Sequence, residues 1–262
     1  MDSRLFDYDI IIQGGQSNAE GCGAGAINNE YIPNENVYFL EAEKTVEHLP
    51  ERVVVEYANK DFDISIAKGR ESNGNKIVDF SLFFARKYIE SGFLSEGRKL
   101  LIIRAAVGGT GFKKGNWGMQ DLLYKKMLEM TDYALSLNKN NRVVAFLWHQ
   151  GEHDAVERNN PLVFENQLSQ MVNSVRSRYG KMPFIAGDFV NEWKQKNIEI
   201  CTPIVEKMQK VANDIGLGAF INTEDLLSNN QKIANGDDIH FCGESLSKLG
   251  ERYFDAYSKL VQ

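Results

Sequence analysis

Two periods alternate along this chain. Runs dense in β-branched and aromatic residues, from Tyr8 to Gln13, Lys99 to Ala106, Arg142 to Trp148, Pro183 to Asp188 and Gly218 to Ile221, predict strands. Between them, Val78 to Ser91, Gln120 to Leu137, Leu162 to Tyr179 and Ile198 to Ile215 place apolar residues at helical spacing, and Ser245 to Leu260 does so after the last strand. Strand and helix in alternation point to an α/β fold, with parallel strands joined by crossover helices. The span from Asn28 to Gly74 is the least regular. It reads as an excursion from the sheet, with short strands at Val37 to Leu40 and Arg52 to Tyr57.

Neither a repeat, a low-complexity tract nor a Pro/Ser-rich linker divides the 262 residues, so the expectation is one domain over 1–262 with one core. Hydrophobic residues at 43% and charged residues at 25% fit a globular chain that folds alone. A net charge of -6 offers no attraction to a phosphate backbone, and no basic run reverses this locally, which argues against a nucleic-acid partner. Apolar runs such as Val143 to Trp148 are too short to cross a bilayer, and Met1 to Asp9 carries charges where a signal peptide needs its apolar segment. The chain as written reads as cytoplasmic and without a membrane partner; a secreted protein whose signal had been removed would have the same sequence. Cys22, Cys201 and Cys242 are odd in number and widely spaced, which suggests neither disulfides nor zinc. Cys22 lies near a motif of interest, but a free cysteine is ordinarily a small packing residue.

In open parallel sheets ligands gather beyond the carboxyl ends of the strands, and four such loops carry chemistry. After the first strand comes Gly14-Gly15-Gln16-Ser17-Asn18-Ala19-Glu20-Gly21, where glycines allow the sharp turn that exposes a nucleophilic serine; a polar turn is the plain alternative. Ala19 stands where the G-x-S-x-G elbow needs glycine. The downstream Gly21-Cys22-Gly23-Ala24-Gly25-Ala26 matches a loose dinucleotide pattern but opens no helix directly after a strand. After the second strand, Gly108-Gly109-Thr110 is either a tight turn or a source of a free N–H for an oxyanion, and Trp117 beyond it is either a sugar-stacking face or core.

After the third strand comes Trp148-His149-Gln150-Gly151-Glu152-His153-Asp154, a polar cluster abutting an apolar run. His149, Glu152 and His153 spell H-x-x-E-H, a zinc-hydrolase signature, with Glu224 as a nominal distant ligand. That chemistry needs both histidines on one helix, whereas Val143 to Trp148 reads as strand and Gly151 would sit inside the required helix. In the competing reading the Gln150 amide serves an oxyanion and Glu152 supports a base. Near the carboxyl end, Asp237 precedes His240 by three residues, a spacing that lets the carboxylate meet one imidazole nitrogen while the other faces a serine; Asp238 is the competing orienter.

Taken in order along nearly the whole chain, Gly15-Gln16-Ser17-Asn18, Gly108-Gly109-Thr110, Trp148-His149-Gln150-Gly151-Glu152 and Asp237-x-x-His240 resemble the SGNH hydrolase superfamily. The branch they resemble contains sialate O-acetylesterases and the acetylxylan esterases of carbohydrate esterase family six. The resemblance implies a three-layer α/β/α sandwich, SGNH/flavodoxin-like, around a mainly parallel sheet of about five strands. It implies Ser17 as nucleophile, His240 as base, Asp237 as orienter and Glu152 as a fourth catalytic residue assisting His240. Oxyanion donors would come from Ser17, Gly109 and Gln150, the last standing where other branches place an asparagine, and Trp117 is a candidate for substrate binding. The implied reaction removes an acetyl group from an acetylated carbohydrate through an acetyl-enzyme and needs no metal or organic cofactor. A non-catalytic carbohydrate-binding protein on the same scaffold is the alternative, with the zinc hydrolase behind it.

Overall fold

The computed structural model describes residues 5–72 and 75–262. The first four residues of the stretch read against a signal peptide, and Asn73 and Gly74 at the end of the irregular span, lie outside the described residues.

The chain begins with β1 (Asp7–Gly15), the single turn α1 (Ser17–Glu20), β2 (Val37–Glu41), β3 (Lys44–His48), β4 (Val53–Tyr57), β5 (Asp63–Ile66), β6 (Arg70–Ser72) and β7 (Asn75–Ile77). It continues through α2 (Phe80–Glu90), β8 (Arg98–Arg104), α3 (Leu122–Ser136), β9 (Arg142–His149), α4 (Glu152–Val156), α5 (Pro161–Tyr179) and β10 (Phe184–Gly187). The chain closes with α6 (Asn191–Lys196), α7 (Ile198–Asp214), β11 (Gly218–Ile221), α8 (Asn229–Ile233) and α9 (Gly243–Val261).

One sheet of seven strands runs β11-β10-β9-β1-β8-β2-β5. Every pairing is parallel except that of β5, which lies antiparallel on β2 at the edge. On one face α2 packs against α9; on the other α5 packs against α7 and is tied to α3 through Tyr124 and Tyr179. Burial on both faces explains why the central strands are apolar in unbroken runs: Ile10, Ile11 and Ile12 of β1 are all fully buried. Each such side chain contributes about 1.5–3 kcal/mol of transfer free energy. Local chemistry sets the helix ends. At α5, Asn160 caps the amides of Leu162 and Val163, Pro161 occupies the first position, and Gly180 comes directly after the last turn.

The sheet has seven strands rather than about five, because the span read as an excursion supplies two of them. β2 slots in beside β8 on the strength of buried Val37, Phe39 and Leu40. β5 is an exposed edge whose sequence, Asp-Ile-Ser-Ile, buries nothing completely, so it carries little hydrophobic signal. The second expected strand is β4, which pairs with β3 in a separate hairpin rather than with the sheet. Among the described residues, no helix is long and apolar enough to cross a membrane.

Candidate active site

Parallel pairing brings the carboxyl ends of β1, β8 and β9 side by side, so the loops after them share one edge. Gly15 ends β1 at φ +135°, where a Cβ would stand 2.1 Å from the His149 carbonyl oxygen; only glycine fits that crossing. The chain then turns into α1 with Ser17 as its first residue. Two guanidinium groups pin the far end of that turn: Arg104 and Arg70 donate to the Glu20 carbonyl at 2.7 and 3.1 Å, and Arg70 donates to the Gly21 carbonyl at 2.8 Å.

Ser17 Oγ lies 2.9 Å from His240 Nε2, and His240 Nδ1 lies 2.9 Å from both oxygens of Asp237. A carboxylate against Nδ1 places the ring proton there, which leaves the Nε2 lone pair facing the serine. Burial by itself raises the Asp237 pKa, but hydrogen bonds from His240 and Asn229 outweigh it and hold this carboxyl below its usual range. Asn229, almost fully buried, is the outer brace, with Nδ2 2.8 Å from Asp237 Oδ2. Asp238 turns away to an ion pair with Lys196 at 2.9 Å.

Among the described residues, neither the Ser17 N–H, at the start of α1, nor the Gly109 N–H has a hydrogen-bond acceptor. Gly109 adopts φ +72°, and the His48 ring, at the end of β3, lies 3.1 Å from where its Cβ would be. Gln150 differs from the expectation. Its side chain is fully buried and its Nε2 donates to Asp154 Oδ2 at 2.7 Å, with the Thr110 carbonyl at 3.3 Å. Asp154 also accepts from the amides of Phe112 and Lys113, so Gln150 belongs to a buried knot joining two loops rather than to a donor set open to substrate.

Trp117 is likewise corrected from substrate face to core. It is fully buried, stacks edge-on against Trp148 at 4.9 Å and donates Nε1 to Thr110 Oγ1 at 3.0 Å, so neither ring face is open to a sugar.

Glu152 is fully buried and meets His240 only indirectly. Its Oε1 accepts from Asn18 Nδ2 at 2.8 Å, and Asn18 holds both peptide groups beside the histidine, donating to the Ile239 carbonyl at 3.1 Å and accepting from the Phe241 amide at 3.0 Å. Desolvation raises the Glu152 pKa. His149 stands 3.7 Å from Glu152 Oε1, enclosed by Phe80, Phe241 and Tyr253, and burial holds its pKa down to about 3.

The helical face needed for zinc does not form. His149 ends β9 with Nδ1 3.1 Å from the Tyr253 hydroxyl, while His153 lies beyond Gly151 in α4 beside Glu157. Among the described residues no three His, Cys, Asp or Glu side chains gather as a ligand set, and all three cysteines are free.

A serine, a histidine and an aspartate converging at the carboxyl edge of a mostly parallel sheet are the arrangement of the serine hydrolases as a class. A family model described as carbohydrate esterase, sialic acid-specific acetylesterase matches residues 7–259, and the chain belongs to that family. It is a carboxylic ester hydrolase that removes O-acetyl groups from glycans.

Among solved structures the fold is similar to NanS, at 18% identity over 98% of each chain with a TM-score of 0.73. It is also similar to a protein from Arabidopsis thaliana, at 16% identity over 97% of this chain and 98% of that one, with a TM-score of 0.68. A carbohydrate acetylesterase from Xanthomonas citri matches at 17% identity and a TM-score of 0.62, over 96% of this chain but 56% of the other. None of the curated proteins compared matches the chain.

Sequence reasoning passed over Asn18 and Glu20 as more than motif letters, gave His48 no role, and passed over Asn229 altogether. Asn18 was within reach, since it adjoins the serine. Asn229 and His48 carry no local signal, because each acquires its neighbours only through the tertiary fold.

Proposed function

We propose that Ser17 is the nucleophile of this esterase, His240 its general base and Asp237 the group that orients the base. The observation that carries the reading is the pair of contacts through the His240 ring, Nε2 to Ser17 Oγ and Nδ1 to the Asp237 carboxylate, both at 2.9 Å. Ser17 Oγ attacks the acetyl carbonyl as its proton passes to His240 Nε2, and the imidazolium is stabilised by Asp237. The resulting oxyanion is held by the Ser17 and Gly109 amides. His240 then protonates the departing sugar oxygen, leaving the acetyl group on Ser17. A water that gives its proton to the same nitrogen attacks this ester, and acetate leaves as the proton returns to Ser17. Glu152 is a positioning residue, reaching His240 through Asn18.

The substrate we propose is an O-acetylated sugar with its acetyl group exposed to attack, sialic acid being the sugar in the family's description. The test is acetate release from a panel of O-acetylated sialic acids, acetylated xylan oligomers and a chromogenic aryl acetate, with S17A as control. S17A keeps the wild-type circular dichroism spectrum and loses turnover by a factor on the order of 10³ or more. Unchanged turnover in S17A removes Ser17 from the mechanism, and acetate release from xylan oligomers alone removes sialic acid.

A further inference from the structure

Glu20 closes the one-turn helix that Ser17 opens, and residues three apart on a helix share a face. Its carboxylate therefore projects on the side of the nucleophile, and Oε2 accepts the Gly108 N–H at 2.9 Å. Gly108 is itself packed on the serine: a Cβ there would lie 3.5 Å from Ser17 Cβ and 3.7 Å from Ser17 Cα. The next amide along the chain is that of Gly109, which has no acceptor among the described residues. On the other side, Val107 N donates to the Gly15 carbonyl at 3.1 Å and Thr110 Oγ1 donates to the Val107 carbonyl at 2.6 Å.

We propose that Glu20 is a positioning residue for the oxyanion site: by accepting the Gly108 N–H it fixes the Gly108–Gly109 turn so that the Gly109 N–H aims at the developing oxyanion. The inference rests on the esterase reading of Ser17 and deepens it. The role is that of a hydrogen-bond acceptor rather than of a charge. A carboxylate close to a developing oxyanion repels it, so its charge opposes the reaction, and Lys44 Nζ, 3.8 Å from Glu20 Oε1, offsets only part of that. The two arginine contacts to the Glu20 carbonyl hold its backbone, so the carboxylate has little freedom to accompany a displaced turn.

Acceptor and charge are separated by two conservative variants. In E20Q the amide oxygen keeps the acceptor in place without the charge; in E20D the charge stays while the acceptor withdraws by one methylene. With an aryl acetate, and with kcat normalised to sites titrated by a fluorophosphonate, E20Q is expected within about threefold of wild type. E20D is expected to lose about 10- to 100-fold in kcat with KM changed less than about threefold, a partial loss relative to deleting an oxyanion donor. The amide proton shift of Gly108, read by NMR, moves in E20D and stays in E20Q. The reverse order of the two variants, equal loss in both, or wild-type kcat in E20D overturns the proposal. A wild-type protein that hydrolyses no acetyl ester sinks the esterase reading instead, and in that case the Gly108 shift still reports whether Glu20 holds the turn.

Discussion

Asn18 embraces His240 from both sides: its Nδ2 donates to the carbonyl of Ile239 and its Oδ1 accepts from the amide of Phe241. The residue after Ser17 thereby sets where the His240 imidazole stands. The Ile239 carbonyl, an acceptor, and the Phe241 N–H, a donor, fix which end of the amide faces which, and the buried Glu152 Oε1 accepts from the same Nδ2 and anchors it from the other side.

That clamp predicts a separation between two substitutions at the same position. E152Q retains an acceptor for Asn18 and keeps kcat within a few-fold of wild type, whereas E152A strands a buried amide. The stranded group costs about 1–3 kcal/mol of stability, read from urea unfolding, and the loosened His240 loop lowers kcat with little change in KM. Equal kcat in E152A and wild type rules out positioning through Asn18.

His149 predicts how stability responds to acid. Its pKa is held down to about 3, from an ordinary value of 6.5, by burial, so the folded state keeps it neutral where the unfolded chain protonates it. This contribution is fully present above pH 6.5 and is lost progressively as the pH falls toward 3, with a slope of up to about 1.4 kcal/mol per pH unit. Glu152 has the opposite sign, since its raised pKa favours the fold at low pH and that benefit fades as pH rises through the folded value. Between about pH 5 and 6.5, above most carboxylate titrations, the raised Glu152 opposes the histidine slope and the lowered His153 adds to it, so His149 is read from the difference between H149Q and wild type in urea unfolding. H149Q flattens the slope there, and an unchanged slope discounts His149 as its source.

Trp117 offers a test of the correction from substrate face to core. W117F removes the indole N–H that Thr110 accepts and leaves a smaller ring against Trp148, so stability falls by about 1–3 kcal/mol. KM for the acetylated sugar changes less than about twofold, because no stacking face is lost. A tenfold rise in KM without loss of stability restores the sugar-stacking role.

The expected strands and helices stand close to where the pattern of apolar residues puts them, because buried central strands and amphipathic helices write their burial into the chain directly. The edge strand β5 escaped notice since half-exposed edges need little apolar content. Among the candidate site residues, His240 and Asp237 were legible as a local pair, three residues apart. Gln150 and Trp117 were misread for a common reason: a polar or aromatic residue after a strand has the same sequence signature whether it faces the cleft or the core. Gln150 turned inward because Asp154 lies one helical step away to receive its amide.

Local patterning was enough to establish the alternation of strand and helix, the four loops at strand ends and the Asp237–His240 spacing, since periodicity and short-range chemistry are properties of neighbouring residues. Folding in three dimensions settled that Ser17 meets His240 across 223 residues, that Asn18 and Glu152 brace that meeting, and that Glu20 grips Gly108. Those contacts depend on strand order and on the glycine crossing at Gly15, which brings β1 within touching distance of β9. A linear pattern does not encode strand order, because each strand satisfies the same burial rule wherever in the sheet it lies.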